Sequence, residues 1–441
     1  MIKRNVGFRR PGLRRRMAAV FGGNMKEKTK LTRLEKQWIL YDVGNSAFTL
    51  LISTLLPIYF NSLAESGGVS SADYLAYWGY AASISTLIVA CLGPVFGTLA
   101  DTGGYKKPIF TAFLMIGVIG CAALSVPTYW LAFLILFVIA KVGYNASLVF
   151  YDSMLTDVTT PERMDNVSSQ GYAWGYIGSV IPFIISLVLV LNAESFGMSM
   201  TTAMAIAFFL TAVWWLGMTI PLLKNYKQVH FVEKKKNAVR ESFSRLGHSL
   251  RDISHHKGLF VFLIAFFLYI DGVYTIIEMA TAYGEALGLD STMLLLALLL
   301  TQFVAFPFAL IFGKLAGKYK NSKLIRICIL AYAAIALFAI QLDKAWEFWL
   351  LAVCVGIFQG GIQALSRSYF AQIIPPEKAG EFFGLLDICG KGASFMGTGL
   401  VSVVTQATGH MQLGVAMISV LIIAGYFVFR KAAKLNANLE K

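Results

Sequence analysis

Charge is scarce in this sequence: Asp, Glu, Lys and Arg make up 14% of 441 residues, against 57% hydrophobic ones. A soluble core has no use for that much apolar surface, so an ordinary soluble protein is excluded. Cysteine is equally sparse. Cys91, Cys121, Cys328, Cys354 and Cys389 all fall in apolar runs without Cys-x-x-Cys spacing, which argues against a disulfide framework or a thiolate metal site. They read as small buried packers. Of the five histidines, four (His230, His248, His255, His256) share one polar stretch and the fifth, His410, stands apart. No two of them can pair at i, i+4 on an apolar helix, so no metal is expected. Gly390-Lys391 lacks the flanking Gly and Ser or Thr of a phosphate loop, so ATP is not implied. Nucleophile, base and orienting residue do not assemble from any motif either. Neither an enzyme nor a cofactor is expected.

What the sequence has in abundance is long apolar runs. Spanning roughly 30 Å of hydrocarbon takes about 20 helical residues, and twelve such runs lie between residues 38 and 430. Lys and Arg alternate with them. Residues 1–37 carry twelve, 222–258 nine, 314–326 five and the tail from Arg430 four, whereas the intervening loops hold one, Lys344. Because basic loops stay in the cytoplasm, both termini are expected there. The same asymmetry accounts for the formal net charge of +14, so nucleic acid is not an expected partner.

The first 24 residues hold seven Lys or Arg and no apolar h-region, which excludes a cleavable signal peptide. They read either as a polybasic arm on anionic lipid or as sequence upstream of a start at Met25. Residues 239–253 alternate Val239, Phe243, Leu246, Leu250 and Ile253 with Arg240, Arg245 and Arg251. That pattern suits an amphipathic helix on the membrane surface, or a solvated connector.

The chain also repeats itself. Gly97-Thr98-Leu99-Ala100 matches Gly313-Lys314-Leu315-Ala316, Thr160-Pro161-Glu162-Arg163 matches Pro375-Pro376-Glu377-Lys378, and Tyr41-Asp42 matches Tyr269-Ile270-Asp271 with the two aspartates aligned. The expected organisation is a basic arm (1–37), a six-helix bundle (38–221), a linker (222–258), a second bundle (259–430) and a tail (431–441).

Residues 93–108, GPVFGTLADTGGYKKP, resemble the loop signature of the major facilitator superfamily. Gly97, Asp101, Gly104 and Lys106 match it, Lys107 follows, and Thr102 and Tyr105 replace the usual arginines. YDVGNSAF (41–48), PERMDNVSSQGYAWGYIGS (161–179) and GGIQALSRSYFAQIIPPEKAGEFFG (360–384) resemble the vacuole effluxer type of permease, over about residues 34–430. The resemblance implies an all-α integral membrane protein of twelve transmembrane helices in two pseudo-symmetric six-helix bundles. It also implies export of amino acids, and a central cavity lined by spans 1, 4, 7 and 10.

Those four spans carry polar stripes at helical spacing: Asp42, Asn45, Ser46, Thr49 and Ser53; Lys141, Tyr144, Asn145 and Asp152; Asp271, Tyr274, Thr275 and Glu278; Gln359, Gln363, Ser366 and Arg367. Charges at bilayer depth cost about 2.5–3.5 kcal/mol each, so they turn to a cavity or a partner. Asp42, close to the expected start of span 1, reads either as a cavity residue or as an interfacial residue stabilised by the helix dipole. A carboxyl kept from water can carry a proton at physiological pH, so Asp271 or Glu278 is the expected coupling carboxylate, a structural buried pair being the alternative. Asp387 and Lys391 are i, i+4 and read as a pair, with Lys391 or Lys141 as the alternative partner of a substrate carboxylate. Arg163, Arg367 and Glu381, at helix ends near the signature loop, read as gate charges. Together these point to a monomeric secondary transporter of a bacterial plasma membrane. Its expected partners are a small polar solute, preferably an amino acid, a coupling proton and membrane lipids. A lipid or amphiphile translocator of the same fold is the alternative.

Overall fold

The computed structural model describes residues 30–233, 256–286 and 288–438. The basic arm before residue 30 and the amphipathic stretch 239–253 lie outside the described residues.

The described residues form twelve long helices: α1 (Arg33–Ser66), α2 (Ser71–Ala100), α3 (Lys106–Ala123), α4 (Trp130–Val158), α5 (Met164–Leu191), α6 (Met200–Asn225), α7 (Lys257–Ala286), α8 (Ser291–Ala316), α9 (Asn321–Ala339), α10 (Ala345–Ile373), α11 (Ala379–Thr408) and α12 (Met411–Leu435). Eleven are long and apolar enough to cross a membrane by hydropathy. The twelfth, α11, is 30 residues long. Large apolar side chains such as Ile119, Leu337 and Phe427 are exposed on the outside of the bundle, the surface that lipid covers. The protein is a multi-pass integral membrane protein.

Local chemistry sets the helix limits. Thr32 and Glu35 form a capping box, the Thr32 hydroxyl accepting from the Glu35 N–H and the Glu35 carboxylate from the Thr32 N–H. α1 therefore starts five residues before the apolar run does, and Asp42 lies about 13 Å along it rather than at its end. α1 breaks at Thr54, where Pro57 can neither donate to Ser53 nor clear its carbonyl.

The two halves have matching internal packing. α1 packs on α5 and α6, α3 on α4 and α6, α2 on α4; likewise α7 packs on α11 and α12, α9 on α10 and α12, α8 on α10. A pair of hydroxyl contacts fixes the register of this repeat: Tyr41 to Ser147 and Tyr269 to Ser366, both 2.7 Å. Tyr41 thus corresponds to Tyr269, and the alignment of Asp42 with Asp271 is corrected by one residue. Asp271 stands where the first half has Val43.

The halves meet through α2 against α11 and α8 against α5, with α4 touching α11 and α5 touching α10. The termini-bearing ends of α1 and α12, the loops after α2, α4, α8 and α10, and both ends of the linker lie at one end of the bundle, called here the basic end.

Candidate functional site

At the basic end the halves are sealed to each other. Gly97 and Gly380 put α2 and α11 in backbone contact; a Cβ on Gly380 would sit 2.6 Å from the Gly97 carbonyl oxygen. Directly below, the Asp101 carboxylate accepts from the N–H groups of Gly380 and Glu381 at 2.7 and 2.8 Å, at the positive end of the α11 dipole. Lys106, fully buried, lies 3.9 Å from Asp101 and 3.3 Å from Asp157. Burial pushes the Asp101 carboxyl up to about 7, against the pull of Lys106 and the two N–H donors. Gly104 turns the loop with φ of 82°, a conformation that suits glycine. Its N–H donates to Gln228, while Val232 pairs with the backbone of Asp101 and Gly103. The segment after α6 is thereby strapped to the signature loop. Lys107, in the first turn of α3, is half-buried.

The second seam, α5 against α8 and α10, uses other chemistry. Asp165 accepts from Asn321 and Ser368 at 2.5 Å and from Gln372 at 3.1 Å. Position 317, equivalent to Asp101 in the repeat, is glycine, so this seam has its carboxylate on the opposite partner. As a result, Asp101 and Asp165 both belong to the first half and both accept from the second.

Arg367 crosses deeper. From α10 it donates to Asp152 at 2.9 Å, to Asp42 at 3.4 Å and to Ser168 through Nε at 2.9 Å. Its guanidinium lies 4.3, 4.7 and 5.5 Å from the ring centres of Tyr172, Trp38 and Tyr151. Tyr151 also donates to Asp42 at 2.8 Å. Asp42 is therefore neither a dipole-stabilised interfacial group nor an open cavity residue; it is a buried partner in a latch between halves. Its neighbour Asn45 is buried too and donates to the Tyr41 carbonyl. Arg163 has a partner nearer by. It pairs with Glu35 at 2.7 Å, within its own half.

Beyond the latch, several further polar residues lie at or near the contact between the halves. Thr49 and Tyr144 share a 2.6 Å hydroxyl contact, and Ser46 is half-buried against Gly175. Lys141 lies within electrostatic reach of Glu278 and Lys391 from the other half. Lys391 pairs with Asp387 at 2.5 Å and donates to the Asn145 carbonyl at 3.5 Å. Gln363 accepts from Tyr176 at 3.4 Å, Gln359 is buried beside it, and Tyr274 is half-buried on α7. Asp271 points elsewhere. It is fully buried between α7 and α11, with Oδ1 accepting from the Gly397 N–H at 2.9 Å and from Thr275 at 3.4 Å. Its Oδ2 has no hydrogen-bond partner among the described residues.

Sequence reasoning missed Asp165, Ser168, Tyr172 and the Asp157 cluster. Asp157 receives Lys106, Tyr226 at 2.5 Å and the His230 N–H at 2.8 Å. Each is a single polar residue near a helix end, with no stripe to announce it. The one available signal was the Thr32-x-x-Glu35 capping box, which would have extended α1 and moved Asp42 inward.

Two pseudo-symmetric six-helix bundles, sealed at one end and enclosing a polar centre, define a membrane permease of the major facilitator class. More narrowly, residues 32–435 match the profile of the family described as vacuole effluxer Atg22 like, and the chain belongs to that family. It is 43% identical to the "uncharacterized MFS-type transporter YxiO" of Bacillus subtilis (strain 168), over 90% of this chain and 94% of the relative. It is 24% identical to autophagy-related protein 22 of Coccidioides immitis (strain RS), over 78% and 70% respectively. Among solved structures it resembles the major facilitator transporter FucP in the outward conformation, with a TM-score of 0.66 and 15% identity, over 91% of this chain and 97% of that one.

Proposed function

We propose that this secondary transporter exports a small zwitterion, an amino acid or close relative, by alternating access, coupled to protons. The observation that carries the reading is Lys391 reaching across the halves to the Asn145 carbonyl at 3.5 Å, with Lys141 of the first half and Glu278 of the second in electrostatic reach of each other. A substrate carboxylate would meet a lysine and its ammonium Glu278. At 1.5 Å per residue, Lys141 lies about 17 Å along α4 and Lys391 about 18 Å along α11, near the depth where such transporters bind solutes.

The basic end is cytoplasmic by charge asymmetry, which makes the sealed conformation an outward-facing one. Asp271, buried with one unpartnered oxygen, carries the coupling proton. Asp101, Asp165, Arg367 and the Gly97–Gly380 contact form the inner gate.

Proteoliposomes loaded with labelled amino acids, short peptides, sugars or amphiphiles test the proposal. Efflux confined to amino acids or peptides, accelerated by an inward proton gradient and lost in Lys391→Ala, is the expected result. Movement of amphiphiles alone would replace it with a lipid or drug translocator.

A further inference from the structure

We infer that the pocket holding Arg367 is a cation-binding site in its own right, which takes the ammonium or guanidinium group of the solute whenever Arg367 withdraws. The inference rests on the alternating-access reading above and narrows its substrate to amines and guanidines, cationic amino acids included.

Every wall of the pocket comes from the first half: Trp38 and Asp42 from α1, Tyr151 and Asp152 from α4, Ser168 and Tyr172 from α5. The occupant alone comes from the second. If the bundles move as rigid bodies when the basic end opens, the guanidinium leaves and the walls stay together. Three aromatic faces and two carboxylates then surround a vacated place. Two buried carboxylates without a cation are strongly unfavourable, and aromatic faces attract cations electrostatically. The vacated pocket therefore selects a planar or compact cation.

The Asp42 side chain is 8% exposed, but that of Asp152 is 28% exposed, so Asp152 meets an arriving cation first. The pocket also binds its occupant by more than charge, since Ser168 offers both its hydroxyl and its carbonyl oxygen to Arg367, at 2.9 and 3.0 Å. Arg367 is thus a tethered copy of the ligand. The basic end closes only when the solute has left the pocket, which ties release to closure.

The test uses the full-length protein in detergent and methylguanidinium chloride as probe, against sodium chloride at matched ionic strength and neutral methylurea. In Arg367→Ala, methylguanidinium is expected to raise the melting temperature saturably, whereas wild type, with its pocket filled, responds weakly. Adding Tyr172→Ala should weaken the apparent affinity about tenfold. Arg367→Gln, which keeps the stem and loses the charge, serves if the alanine variant does not fold. Equal responses to methylguanidinium and methylurea, or no dependence on Tyr172, overturn the inference. Failure of wild-type transport with pocket binding intact would instead remove the alternating-access reading, so the two failures are separable.

Discussion

Asp42 and Asp271 sit one position apart in the register of the internal repeat, both buried, both on the first helix of their half, yet they have different partners. Asp42 faces α4 and α5 and receives Arg367 from the opposite half. Asp271 faces α11 of its own half and receives only neutral donors. One residue along an α-helix is a rotation of about 100°, enough to exchange one neighbour for another. If the halves separate as rigid bodies, Asp42 changes partners while Asp271 keeps its surroundings. On the proposed alternating-access cycle, one acid belongs to the equilibrium between open and closed forms, the other to a site carried unchanged through it.

Removing the latch cation should have the largest effect. In Arg367→Ala, two carboxylates lose their buried partner, a change of about 3–5 kcal/mol. Alkylation of a cysteine introduced on the basic-end wall of the cavity should rise by two to three powers of ten, and unchanged alkylation would show that the seams alone hold the end shut. Next comes Asp271→Asn, which keeps the shape and deletes the titratable proton. Transport driven by a pH gradient should be lost, with alkylation at the basic end unaltered. If instead Asp42→Asn abolishes coupling and Asp271→Asn does not, the roles are reversed.

A smaller effect separates Asp101 from both. Its carboxyl is held at about 7 in the sealed form and returns toward about 3.9 when exposed to water. The sealed form therefore binds the proton more tightly. Its advantage is complete below about pH 4 and is lost as pH rises through 7, so opening at the basic end should increase on the order of tenfold between pH 6 and 8. Asp101→Asn should flatten that profile; a profile surviving the substitution would assign the titration to another group. The smallest effect belongs to Arg163→Ala. The Arg163–Glu35 pair lies within one half and is partly exposed, so its loss should cost about 1 kcal/mol in melting experiments and leave alkylation at the basic end unchanged. A shift there would mean that the helix ends of one half communicate with the seam.

Much of this was legible in the chain. Apolar runs gave the helices, because a bilayer demands about 20 apolar residues per crossing, and the loop 93–108 pointed to the inner seam. The Asp387–Lys391 pair followed from i, i+4 spacing on one helix. The fate of Arg163 was not legible, since its choice of Glu35, 128 residues away, depends on how α1 and α5 are packed. Nor was the bias by which the first half supplies Asp42, Asp101, Asp152 and Asp165 while the second supplies the donors that reach them across the interface.

By itself, then, the sequence determined what each helix could tolerate: length, polar stripe, cap and break, all set by interactions within a turn or two of the residue concerned. Only the tertiary structure decided which acid met which cation. That choice depends on the rotation and register of packed helices, and a shift of one residue is enough to send a carboxylate across the interface or back into its own bundle.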